Sequence, residues 1–310
     1  MKKILLPILM IIISLMTISC GSEKVDIYTT VYPLQYFTKE IVKDKLVVKS
    51  AYPNSAEVHD YEPSAKTLIN MSESKMIVYI GLGLEPFIEK GIDTTFANVK
   101  CLEVSSCPEL LLVTRDGKTS NSPETNADTA YDPHIWLDPY QMVHVVQHIL
   151  DSILTIEEFN IYAEEFTANA NDLKNRLIDL ATLYDTQLSA TKKNTIIVDH
   201  DAYAYWSYRY QFERKQLRSD NESSDPNAKD FEALVDFALE NNLKYLITTK
   251  NESQQSLIIQ YISTLNNKKP ELDAKIIMLD NLEVQIKEEN DYFTVMKNNL
   301  YNLVRALNNK

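Results

Sequence analysis

The chain has 310 residues, enough for one large domain or two medium ones with an ample core. Its 31 Lys and Arg stand against 44 Asp and Glu, a formal charge of −13, and no basic stripe exists to follow a phosphate backbone. That argues against a nucleic-acid binder and suits solubility and the attraction of cations.

The chain opens with Lys2-Lys3, an unbroken apolar run from Ile4 to Met16, and then Thr17-Ile18-Ser19-Cys20-Gly21-Ser22. A basic start, a short greasy stretch and a small residue at the cut describe an export signal, too short to span a bilayer as a mature helix. A cysteine directly after it looks like a bacterial lipoprotein signal, with Cys20 as the acylated first residue. A plain secretory signal is the alternative, and Thr17 departs from the leucine such lipoprotein signals prefer. Without the leader's two lysines, 29 basic residues face 44 acidic ones, a charge of −15. Cys101 and Cys107 are the remaining thiols. Outside the cytoplasm they pair only if the segment between them turns back on itself, and Val99 to Val104 reads instead as a strand.

In the first half, strand-like runs at Val25–Val31, Leu46–Tyr52, Met76–Ile80 and Val99–Val104 alternate with helical stretches at Leu34–Val42, Ser64–Ser72 and Glu85–Lys90. This alternation implies an α/β architecture with a mostly parallel sheet. Thr114 to Ala130, rich in Ser, Thr, Asn and Asp, reads as a mobile surface loop. From Gln141 to Asp225 there is neither Gly nor Pro. Within that stretch Phe159, Tyr162, Phe166, Ala170, Leu173, Leu177, Leu180, Tyr184 and Leu188 recur at helical steps, which predicts a rod of about 30 residues and roughly 45 Å. A coiled-coil partner helix competes with an internal connector, but the charges do not follow a heptad. Strands then return at Thr195–Val198, Lys244–Thr248 and Lys275–Leu279, with helices at Ala202–Tyr210, Asn227–Glu240 and Tyr292–Leu307.

Of the five histidines, three sit at element ends. His59 lies in a turn-rich loop after the second strand. His134 lies in Asp132-Pro133-His134-Ile135-Trp136-Leu137-Asp138-Pro139, between two carboxylates and two prolines. That octapeptide reads either as a stiffened ligand loop or as a Pro-bounded helix start with an exposed histidine. His200 and Asp280 each follow a strand, where ligands bind in open parallel sheets. Three imidazoles and one carboxylate make a shell suited to tetrahedral zinc, although each histidine alone also fits a solvated loop residue. His144 and His148 are spaced i, i+4, but they share a polar face with Gln141 and Asp151 and read as solvated. Tyr203, Tyr205, Trp206, Tyr208 and Tyr210 read as packing around one helix. Neither an HExxH helix nor a Gly-bearing nucleophile elbow is present, which argues against a zinc hydrolase built on His59, His134 and His200 with Glu62 or Asp280 as base.

Residues 25–310 resemble the solute-binding lipoproteins of zinc and manganese ABC importers. The resemblance rests on His59-Asp60-Tyr61-Glu62-Pro63-Ser64, the octapeptide around His134, His200-Asp201-Ala202-Tyr203, and Ser224-Asp225-Pro226-Asn227-Ala228-Lys229-Asp230. It implies two Rossmann-like α/β lobes connected by one long rigid helix, with the metal between them. The expected division is 1–20 signal, 21–155 first lobe, 156–190 helix and 191–310 second lobe. The ligand roles fall on His59, His134, His200 and Asp280, with Asp132, Asp138 and Asp201 as supporting carboxylates. A histidine at position 200 matches zinc-type relatives, and the affinity order places Zn2+ above Mn2+, the alternative cargo. The implied protein is an extracytoplasmic, lipid-anchored monomer, not an enzyme, that hands its ion to an ABC importer's membrane permease. A surface adhesin with a structural metal is the rival from another class. Departures from the pattern are Asn54 for a glycine, Tyr210-Gln211 for Tyr-Gly, Asn281 after Asp280, and no histidine in residues 114–131.

Overall fold

Short apolar strands buried on both faces form the centre of the first sheet, as expected where helices cover each side, and its two outer strands are more polar and partly exposed. β1 (Ile27–Thr29), β2 (Val48–Ser50), β3 (Met76–Tyr79) and β4 (Lys100–Glu103) pair in parallel in the order β2-β1-β3-β4. The computed structural model describes residues 24–54, 56–120, 131–192, 195–218, 226–249, 255–285 and 291–309; the leader, Cys20 and Ser224-Asp225 lie outside them. Helix α1 (Tyr32–Val42) takes Pro33 into its first turn, where the missing N–H costs nothing, and buries Leu34, Phe37 and Ile41. α2 (Ala65–Ser72) is capped by Ser64, whose hydroxyl accepts from Thr67 N at 3.2 Å. α3 (Pro86–Glu89) is a single turn.

Part of the segment expected as loop forms a hairpin. β5 (Leu112–Val113) and β6 (Thr119–Ser120) pair antiparallel around a turn in which Gly117 takes φ 87°. Residues 121–130 of that loop lie outside the described residues. Cys101 and Cys107 are free thiols. Successive residues of β4 point to opposite faces of the sheet, so Cys101 packs with Ile77 and Tyr79, while Leu102, Val104 and Cys107 join the main core.

α4 (Pro139–Leu154) starts at Asp138, whose Oδ1 accepts from Tyr140 N at 3.0 Å. The expected 30-residue rod begins as a 3₁₀ segment at Glu157–Tyr162 and becomes α-helix α5 over Ala163–Leu188, 26 residues and about 39 Å long. Thr155, Ile156, Asn160 and Ile161, all weak helix formers, explain the later start. α5 binds both halves of the molecule. Asn169 Nδ2 donates to the Ile41 carbonyl at 2.9 Å, and Tyr184 OH donates to the Met296 carbonyl at 2.7 Å.

The second sheet repeats the wiring of the first. β7 (Thr195–Val198), β8 (Glu213–Gln216), β9 (Tyr245–Thr248) and β10 (Lys275–Met278) are parallel in the order β10-β9-β7-β8, again second, first, third, fourth by chain position. Around it lie α6 (Ala204–Tyr210), α7 (Ala228–Glu240), α8 (Ser256–Lys268) and α9 (Tyr292–Asn308). Gln211, where the family pattern favours glycine, ends α6 in the left-handed region at φ 56°. The fold is thus α/β, two lobes with parallel sheets and a long helix between them. Among the described residues no helix is long and apolar enough to cross a membrane.

Candidate metal centre

Four loops at strand and helix ends converge between the lobes. Val58–Asp60, after β2, forms a 3₁₀ turn that carries His59. His134 sits at the start of the 3₁₀ turn Ile135–Leu137, wholly buried beside Trp136. His200 follows β7, at the carboxyl edge of the gap between β7 and β9 where the strand order reverses. The fourth loop follows β10, and its contribution is Glu283.

Glu283 Oε1 lies 3.3 Å from His59 Nε2, 3.3 Å from His134 Nε2 and 3.6 Å from His200 Nε2. The Nε2 atoms of His134 and His200 are 3.4 Å apart. One ligand atom from each of the four residues falls within 4.8 Å of all the others. A tetrahedron with zinc-to-ligand bonds of about 2.05 Å has edges of about 3.3 Å, so these separations suit a single zinc-sized ion.

Asp280 does not join this group. Its Oδ1 accepts from Leu282 N at 2.9 Å, an Asx turn that reverses the chain, and its backbone N–H donates to Asn299 Oδ1 at 2.9 Å. Leu282 then takes φ 60°, and its buried side chain anchors the bend that presents Glu283. The carboxylate expected at 280 therefore shapes the loop, and the one three residues later faces the histidines. The position of Glu283 is fixed from the other lobe too, because Tyr32 N at the start of α1 donates to its carbonyl at 3.0 Å. Trp136 Nε1 adds a bond to the Asn281 carbonyl at 2.7 Å.

The three neighbouring aspartates differ in what they touch. Asp132 Oδ1 lies 2.6 Å from His134 Nδ1, and Asp132 Oδ2 accepts from Ala204 N at 3.0 Å. Asp138 caps α4 and binds Arg209 Nη2 at 2.6 Å. Asp201 pairs with Arg214 and accepts from Gln216 Nε2 at 2.5 Å. Of the three, Asp132 is the one that contacts an imidazole of the cluster.

The electrostatics follow from this packing. Burial pushes the Glu283 carboxyl up, yet His134, His59 and His200 hold it well below the usual carboxylate range. Burial pushes the His134 imidazole down, but Asp132 and Glu283 outweigh it and raise it to about 10. Asp132 is likewise lifted by burial and drawn down by His134, to about 2. Without a metal ion the cleft thus stores a proton between two carboxylates, a site built for positive charge.

The chain matches, over residues 27–306, the family model described as zinc-uptake complex component A, periplasmic. It belongs to the ZnuA family. The high-affinity zinc uptake system protein ZnuA of Bacillus subtilis is 29% identical over 289 residues, covering 90% of this chain and 86% of that protein. The zinc-binding protein AdcA of Streptococcus pyogenes serotype M6 is 27% identical over 293 residues, covering 90% of this chain and 55% of that protein. The chain therefore spans about half the length of the AdcA relatives it matches. The crystal structure of the Zn(II)-bound ZnuA-like domain of Streptococcus pneumoniae AdcA superposes with a TM-score of 0.74 at 26% identity, covering 92% of this chain and all of that one.

Proposed function

We propose that this ZnuA-family chain captures Zn2+ between its lobes through His59, His134, His200 and Glu283 and delivers it to the membrane permease of an ABC importer. The convergence of three imidazole nitrogens and one carboxylate oxygen from both lobes carries this reading. Four protein ligands leave no open position for a reactive water, which favours capture over catalysis. In this reading residues 21–155 and 191–310 act as the two lobes, residues 156–190 keep them in register, and acylated Cys20 tethers a monomer outside the cytoplasm. Asp132 orients His134 as a supporting carboxylate, while Asp138 and Asp201 brace the surrounding loops.

Nitrogen-rich donors place Zn2+ ahead of Mn2+. Native mass spectrometry of residues 21–310, stripped and offered one equivalent of each metal, should retain Zn2+. Preferential retention of Mn2+ would overturn the cargo assignment, and turnover of a hydrolysable substrate that Glu283→Gln abolishes would overturn the class.

A further inference from the structure

The chain has two tryptophans, and both brace the loop that carries His134. Trp206 Nε1 donates to the Leu137 carbonyl at 2.5 Å. Trp136 lies in the loop itself, two residues after His134, and is wholly buried. Its indole packs against the His134 imidazole, with ring centroids 5.0 Å apart and planes at 59°. Its Nε1 donates to the Asn281 carbonyl at 2.7 Å, in the loop after β10 and two residues before Glu283. Its own carbonyl accepts from Tyr292 OH at 2.7 Å, at the start of α9. One side chain therefore touches the ring of one ligand and holds the backbone beside another.

A buried indole N–H needs an acceptor, and a phenylalanine would fill apolar space without needing one. The acceptor here is not in the loop of Trp136 but 145 residues further along the chain, so the N–H ties two ligand loops together. The tie bears on ligand spacing. His134 Nε2 and Glu283 Oε1 stand 3.3 Å apart, the length of one edge of a tetrahedral zinc shell. Zn2+ is complete with four donors, whereas Mn2+ favours six, oxygen-rich and including water. Two ligand loops that cannot part leave no room for the added donors, so geometry rather than donor identity then rejects Mn2+.

We propose, on the zinc-capture reading of the cleft, that Trp136 is a specificity-determining positioning residue: its indole N–H ties the His134 loop to the Glu283 loop and holds the site at four ligands. Trp136→Phe keeps an aromatic body against His134 and removes the tie. Competitive titration with Zn2+ and Mn2+ should show Zn2+ affinity down about 10–100-fold, as for other groups that orient a ligand, with Mn2+ affinity unchanged or higher. Co2+ bound to the parent chain should give the intense visible absorption of a four-coordinate ion, and that band should weaken in the variant. Tyr184→Phe is the control, since it removes a different buried bond, to the Met296 carbonyl between α5 and α9. It should lower stability in urea and leave the Zn2+ to Mn2+ ratio unchanged. If Trp136→Phe does not fold, Trp136→benzothienylalanine keeps the indole outline with sulfur in place of N–H and should show the same loss of ratio. An unchanged ratio in the folded variant, or an equal fall in Tyr184→Phe, would overturn the proposal and leave zinc capture standing. A parent chain that itself shows no preference for Zn2+ would overturn both.

Discussion

Asp132 Oδ1 lies 2.6 Å from Nδ1 of His134 and accepts the same residue's backbone N–H at 2.9 Å. A single carboxylate oxygen therefore fixes the ring's tautomer and its angle, turning Nε2 toward the cleft. The other oxygen accepts from Ala204 N and so ties the start of α6, in the second lobe, to the ligand of the first. Asp132→Asn replaces one acceptor with a donor facing groups that themselves donate. Zinc affinity should fall about 10–100-fold. Stability should fall by about 1–3 kcal/mol, the cost of an unmade buried bond. Chelator competition and urea melts read the two effects separately; unchanged affinity would mean that packing alone orients the ring.

Asp280 and Glu283 make opposite predictions. Glu283→Gln removes the only carboxylate that contacts all three imidazoles among the described residues, and zinc affinity should drop by more than about 100-fold, beyond what an orienting residue costs. Asp280→Asn keeps an oxygen able to accept from Leu282 N, so affinity should stay within about threefold, with at most roughly 1 kcal/mol lost from the turn. Direct titration of both variants settles which carboxylate faces the ion. The reverse ranking would restore the ligand role to Asp280.

The fold was largely legible because its strands are short apolar runs bounded by turns, and β7 lies at Thr195–Val198 as its four apolar-flanked residues predict. β8 was illegible because Glu213-Arg214-Lys215-Gln216 has no apolar alternation; it is an edge strand, paired on one side only, where charge guards against unwanted pairing. The three histidines could be read from their positions after strands and in turns. The fourth group could not, because sequence cannot show that Asp280 spends its carboxylate on its own backbone. Its only trace is the run Asp280-Asn281-Leu282, an Asx-type turn that re-aims whatever follows.

The metal-free cleft should respond to pH in a defined direction. His134, raised to about 10 from an ordinary 6.5, contributes stability that is complete below pH 6.5 and lost as pH rises toward 10. Glu283, lowered from 4.5, contributes stability present above pH 4.5 and lost as pH falls through its folded value. Together they favour the metal-free protein most between pH 4.5 and 6.5. Zinc needs a neutral imidazole, so at pH 7.5 its binding should expel about one proton, and affinity should rise toward tenfold per pH unit above that. Calorimetry in buffers of different ionisation heat counts that proton, and a count of zero would refute the assignment.

Arg214 and Asp201 form a buried pair directly beside His200, with exposures of 7% and 6%. Burial pushes the Asp201 carboxyl up and the Arg214 guanidinium draws it back, so the charge there persists only with its partner. The same guanidinium donates from Nη2 to the Arg115 carbonyl at 2.8 Å, reaching from β8 to the β5–β6 turn of the first lobe. Arg214→Met leaves Asp201 buried without its cation and should cost about 3–5 kcal/mol. Adding Asp201→Asn to that variant removes the stranded charge and should recover more than half of the loss. Urea melts of the two single variants and the double variant measure the coupling, and strictly additive losses would show that the pair does not hold the His200 loop against the first lobe.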